Sequence, residues 1–178
     1  MKLAIESPPR TLIEVFRILP EGTLAELIDN TLYMSPSPIS SHQRVLNKIN
    51  NSIYNFFEKT KQGEVFIAPF DVYLDEESNA VQPDIVVVLN QNNHIINPNG
   101  HIHGVPDLLV EVLSPSNKEF DLVKKKELYE RFGVKEYWIV DPETKLASVF
   151  QRVGNSFTKP SESIGSIQSP LLGQSFTF

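Results

Sequence analysis

The chemically informative residues of this sequence are charged groups placed where the hydrophobic pattern predicts burial. Such placement is costly unless the group is paired, binds a metal or lines a cleft. Asp84, in Val81-Gln-Pro-Asp84-Ile85, stands at the head of an apolar run, and Glu111 interrupts the aliphatic stretch from Leu108 to Leu113. If these stretches are neighbouring strands, the two carboxylates converge at one edge of a sheet, and carboxylate oxygens suit a hard divalent cation such as Mg²⁺. Lys125 is the third such residue. On a helix of about 100° per residue, Leu122, Leu128, Tyr129 and Phe132 share an apolar face and Lys125 falls in its middle. Asp121 lies on that face one turn earlier, while Lys124 and Lys126 point to its flanks. His42 opens the apolar line of an earlier helix. Glu26 shares strand parity with Leu24 and Ile28. Asp107 has the parity of Glu111, but it follows Pro106, where a turn role is expected. The structural alternative is a buried Glu111–Lys125 ion pair with no chemistry attached.

Other motifs carry less. His94, His101 and His103 lie in a polar loop with no third nitrogen or sulfur ligand nearby, so solvated histidines are expected rather than a zinc site. No phosphate-binding glycine pattern occurs, and Ser114-Pro115-Ser116 lacks the glycines of a nucleophile elbow.

The elements that must position these groups follow from periodicity. A helical turn is expected near Thr11 to Ile18, then strands Leu24–Asn30 and Thr31–Met34 joined at Asp29-Asn30. Ser40 or Ser41 is expected to cap a helix to Lys59, with His42, Val45, Leu46, Ile49, Ile53, Phe56 and Phe57 on one face and Gly63 as its stop signal. Glu64–Leu74 reads as one strand. Ile85–Leu89 and Leu108–Val110 do not alternate, which is the signature of strands covered on both faces. Residues 90–104 read as a loop, and Lys118–Phe132 as a second helix ended by Gly133. Glu136–Val140 reads as a strand, and a hairpin turns at Gly154-Asn155. The pattern predicts one α/β (α+β) domain over residues 1–178, with a mixed sheet, two principal helices, a lead-in over 1–20 and a weakly patterned tail over 161–178.

Composition bounds the function. The chain has 178 residues, 40% hydrophobic and 21% charged, with 21 Gly plus Pro, which is a globular profile. Its longest apolar run is five residues, so no membrane span is expected. Residues 1–20 lack a signal peptide's basic-then-apolar order. There is no cysteine, which excludes disulfides, thiolate zinc sites and cysteine nucleophiles and fits a cytoplasmic protein. A net charge of −6 argues against a generally basic nucleic-acid coat.

Taken together, the motifs resemble a known group. Pro83-Asp84, a gap, Glu111 on an apolar strand and a following lysine resemble the PD-(D/E)XK nuclease superfamily. Glu111-Val-Leu-Ser-Pro-Ser116, Asp121-x-x-x-Lys125-x-x-x-Tyr129 and Gly133-Val-x-Glu-Tyr-Trp-Ile-Val-Asp-Pro142 are similar to the Uma family of restriction-endonuclease-like proteins within it. So are Glu26, Met34-Ser-Pro-Ser-Pro38 and His42-Gln43, and the resemblance runs from about residue 20 to 155. It implies a restriction-endonuclease-like core, a mixed central sheet flanked by helices, with Asp84 and Glu111 as ligands of Mg²⁺ or Mn²⁺. One departure stands out: the lysine expected two residues after Glu111 is Leu113, and the resemblance maps its role to Lys125.

The implied activity is metal-dependent phosphodiester hydrolysis, with DNA as the expected partner. The Val112 carbonyl would add a ligand and Lys125 would orient water. His42, Glu26, Asp107, Asp121 and Tyr129 would support the site. Residues 118–135 hold six Lys/Arg against four Asp/Glu, a modest basic strip in which Lys118, Lys124 and Lys126 are the candidate nucleic-acid contacts. A homodimer would double it around a duplex. The competing expectation is a non-catalytic nucleic-acid-binding or assembly module that keeps the fold.

Overall fold

The computed structural model of the chain describes residues 8–98, 100–114 and 120–178, the side chains of Phe120 and Asp121 excepted. Its architecture is mixed α/β, as the patterning predicts. Thr11 caps α1 (Leu12–Arg17) in a capping box with Glu14. β1 (Ala25–Ile28) and β2 (Thr31–Met34) form an antiparallel hairpin. It turns at Asp29 and Asn30, whose φ of 48° and 55° these residue types tolerate. β1 and β2 then join β5 (Ala80–Val81), β4 (Val72–Tyr73) and β7 (Ile102–His103) in a five-stranded sheet.

The larger sheet has seven strands. Its main path runs β11 (Ser156–Phe157), β10 (Leu146–Val153), β9 (Glu136–Val140), β8 (Leu108–Val112), β6 (Ile85–Leu89) and β3 (Gly63–Ile67), with β12 (Ser161–Ile164) also on β10. β6 and β8 are antiparallel neighbours with Ile85 opposite Val110, and β8 and β9 are parallel. The two apolar runs are thus adjacent central strands. Alternate residues serve two cores. Ile85, Val87, Leu108, Val110, Val112 and Trp138 pack with α2 (Ser40–Thr60) and the β13 (Ser166–Ser169)–β14 (Gln174–Thr177) hairpin. Val86, Val88, Leu109, Tyr137 and Ile139 face the smaller sheet and α3 (Lys126–Phe132). Both faces are covered, so neither strand alternates. Among the described residues no helix is long and apolar enough to cross a membrane.

Several elements differ from expectation. Ile39, not a serine, stands at the N-cap of α2 and makes no side-chain cap bond. The helix stops at Lys61 in the left-handed region (φ 53°). Gly63 instead opens β3, where an added Cβ would collide with the Val88 carbonyl oxygen. The strand expected over 64–74 is two strands in different sheets, β3 and β4, because the chain leaves β3 at Ala68-Pro69 and proline has no N–H for a ladder. The loop over 90–104 contains a 3₁₀ turn, Asn90–Ile95, and β7. Residues 120–125 are π-helical rather than α-helical, so Leu122, expected in the core, is 37% exposed. The tail is three strands, β12 to β14.

One buried acid lies away from the clustered charges. Glu136 is fully buried and accepts hydrogen bonds from Trp138 Nε1 (2.7 Å), Ser169 Oγ (2.6 Å) and Leu171 N (2.8 Å). Burial nevertheless pushes its carboxyl above the ordinary 4.5. A raised native pKa means that its stability contribution is complete below the unfolded value and is lost as pH rises through the native one. Glu136→Gln should therefore flatten the fall in unfolding free energy as pH rises above 4.5. Urea titrations at several pH values test this, and parallel wild-type and variant profiles would contradict it.

Candidate functional site

Glu111 has the parity of Leu109 on β8, so its side chain leaves the sheet on the α3 side. There its Oε1 accepts from Lys125 Nζ at 2.9 Å and from Tyr129 OH at 3.0 Å. Lys125 sits at the junction of the π-helical turn and α3 and is 5% exposed. Its Nζ also lies 3.0 Å from Glu26 Oε1. Glu26 arrives from β1 of the other sheet and accepts in turn from the Gln82 backbone N–H at 2.9 Å. One buried ammonium is therefore shared by two buried carboxylates that belong to different sheets. Pairing at this depth is what makes the burial of three charges tolerable.

Asp84 completes the cluster from the start of β6. Its Oδ2 accepts from the Val112 backbone N–H at 2.7 Å and lies 3.0 Å from His42 Nε2, on the first turn of α2. No described residue bonds Oδ1 of Asp84. A cleft of about 390 Å³ opens onto these groups. It is lined by Glu26, His42, Asp84, Glu111, Val112 and Lys125, by the loop Ser35–Pro38, and by Gln43, Gln82 and Ser114. One strand residue from each sheet, one residue at a strand start, one at a helix start and one at a helix junction thus meet at the cleft.

The candidates divide clearly by position. Asp84, Glu111, Lys125, His42, Glu26, Tyr129 and Val112 come together. Asp107 does not: it precedes β8 at the opposite end, about 13 Å of strand from Glu111. There it accepts from Leu89 N, Asn92 Nδ2 and Lys135 Nζ, which is a structural role. Lys118 and the Asp121 side chain lie outside the described residues. Lys124 donates to Tyr33 OH at 2.5 Å and sits over that ring, and Lys126 lies over the Phe150 ring. Both are half-buried. His101 and His103 are exposed and lie beside Asp71 and Glu76, away from the cleft. Gln82 was not anticipated. Its contribution to Glu26 is a backbone N–H, and no side-chain signal encodes that.

Among the described residues no group of three or more His, Cys, Asp or Glu side chains is arranged to hold a metal. The donor chemistry at the cleft is two carboxylates, with the backbone of Val112 beside them. That set fits Mg²⁺ or Mn²⁺, which keep several waters and take one or two carboxylates plus substrate phosphate. It does not fit a closed, all-protein cage.

Residues 13–176 match the Uma2 family, described as "Putative restriction endonuclease". The fold superposes on the crystal structure of a protein from Anabaena variabilis, described as a putative nuclease belonging to DUF820. The TM-score is 0.73 at 18% identity, covering 93% of this chain and 92% of that one. No curated protein matches the sequence.

Proposed function

Because the chain belongs to the Uma2 family, shown by the match over residues 13–176, we propose that it is a divalent-metal-dependent endonuclease hydrolysing phosphodiester bonds in DNA. The observation that carries the proposal is the convergence of Asp84 and Glu111, from adjacent antiparallel strands, on a cleft that also contains a buried lysine.

Asp84, Glu111 and the Val112 carbonyl would hold Mg²⁺ or Mn²⁺. When bound, the ion polarises the phosphate and lowers the pKa of a coordinated water. The chain's own residues do the rest. The Val112 N–H fixes Asp84 Oδ2, and His42 holds the same oxygen from α2. Tyr129 OH fixes Glu111. Lys125, held between Glu26 and Glu111, orients the attacking water or offsets negative charge developing on the phosphate. Glu26 keeps that ammonium in place.

A second reading has its own support. Lys125 already pairs with both Glu26 and Glu111, so the cluster can stand as a structural ion triad, as a non-catalytic binding module requires. Cleavage separates the two. Wild-type protein should nick or linearise supercoiled plasmid in Mg²⁺ or Mn²⁺ and be silent in chelator. Asp84→Asn should abolish both cleavage and calorimetric Mn²⁺ binding while remaining folded. Plasmid left intact by a wild type that binds no Mn²⁺ would favour the ion triad.

A further inference from the structure

The exposed face of α2 carries a pattern that neither the core nor the cleft uses. Its buried face is His42, Val45, Leu46, Ile49, Ile53 and Phe57. The opposite face presents Arg44 and Lys48 in one row, and Asn47, Asn51 and Asn55 in the next, each at i, i+4 spacing and exposed. Among the described residues no hydrogen bond or ion pair engages these five side chains. Other cations are committed: Arg17 to Glu76, Arg131 to Asp29, Lys135 to Asp107. From Ser35 to Phe57 the sequence holds no Asp or Glu, in a chain of net charge −6.

A merely solvated helix face has a different chemistry. It is typically laced with Glu–Lys pairs, which support the helix, whereas asparagine is a poor helix former. What Asn, Arg and Lys share is hydrogen bonding to base edges and phosphates: carboxamides pair with adenine, and cationic forks with guanine or the backbone. The face adjoins the cleft through Gln43, which is exposed, lines the cleft and lies one turn before Asn47. A duplex lying along α2 would thus carry its backbone to Asp84 and Glu111.

We infer that this face of α2 is the docking surface for duplex DNA, with Arg44 and Lys48 on phosphates and the asparagine row toward base edges in the major groove. The inference rests on the nuclease reading for its occupant. It specifies B-form DNA, because the deep, narrow major groove of an RNA duplex does not admit a helix. Single strands are less well served, since they are held by several stacked aromatics and α2 exposes one, Tyr54.

The test is fluorescence anisotropy with a random-sequence DNA duplex of about three helical turns, in Ca²⁺ and in chelator, using the full chain. Arg44→Ala/Lys48→Ala should weaken binding about tenfold or more and make the slope of log K against log salt shallower by roughly 1.8, the value for two lost phosphate contacts. Asn47→Ala/Asn51→Ala/Asn55→Ala should lose the base preference that wild type shows in selection from a duplex library. Both variants should melt no lower than wild type, because alanine is the better helix former. Unchanged affinity and salt slope in the first variant would overturn the surface. So would a wild type that prefers single strands or duplex RNA, and a flat wild-type library profile would overturn the base contacts. Binding that depends on α2 in a protein that never cleaves would fail only the nuclease reading. Normal cleavage with unchanged binding in both variants would fail only the surface.

Discussion

Glu111→Gln will lower metal-dependent cleavage by roughly a thousandfold while leaving the chain folded. The substitution preserves shape and removes one negative charge. The amide oxygen can still accept from Tyr129 OH, and Lys125 keeps Glu26 as its counter-charge at 3.0 Å. Stability should therefore move by no more than about 1–3 kcal/mol. Activity should collapse, because a neutral amide is a poor ligand for a hard cation and the second carboxylate of the cleft is gone. The measurement is single-turnover cleavage of plasmid in Mn²⁺, with urea denaturation alongside. A folded variant that cleaves within a few-fold of wild type would remove Glu111 from the chemistry and leave the ion triad as its whole role.

Lys125→Met should do the reverse and strike stability first. It strands Glu26 and Glu111, 4% and 3% exposed, around a space without a cation. Breaking a buried pair from one side costs about 3–5 kcal/mol. For a chain of this size that corresponds to a fall in Tm of roughly 6–20 °C. The companion variant Glu26→Gln/Glu111→Gln/Lys125→Met should recover most of the loss, since no charge is then left unpaired. Calorimetry on the pair of variants decides it. If the single variant melts within about 2 °C of wild type, the triad is too well hydrated to matter to the fold.

The parts of the site visible in the sequence were those in which a charge broke an apolar pattern. Glu111 inside Leu108–Leu113 and Lys125 among Leu128 and Tyr129 are costly unless they meet, and they do. The central strands were legible because both their faces are covered. What was illegible depended on tertiary placement or on short elements. β4, β5 and β7 have two residues each, too few to show a period. In the tail, three of the four residues of β12 are exposed, while Ile167 and Phe176 alone from β13 and β14 enter the core cluster beside α2. Leu122 departs from its apolar row because a π-helical turn does not follow a 3.6-residue period. Asp107 shared the parity of Glu111, but parity fixes a sheet face and not the end of a strand. The asparagine row on α2 was on view in the sequence all along, but without the cleft beside it the row had no direction.

The cluster around Lys125 also bears on the order in which the molecule becomes competent. Its contacts join segments that are distant along the chain. Gln82 and Glu26 are 56 residues apart, His42 and Asp84 are 42, and Val112 and Asp84 are 28. Closing such loops carries an entropic cost that local helices and hairpins avoid, so these contacts belong to the late, high-contact-order part of folding. Lys125 follows the other charged groups along the chain, so the cluster is complete only once that residue has been made. A nuclease assembled in this way would be inert until its fold is complete.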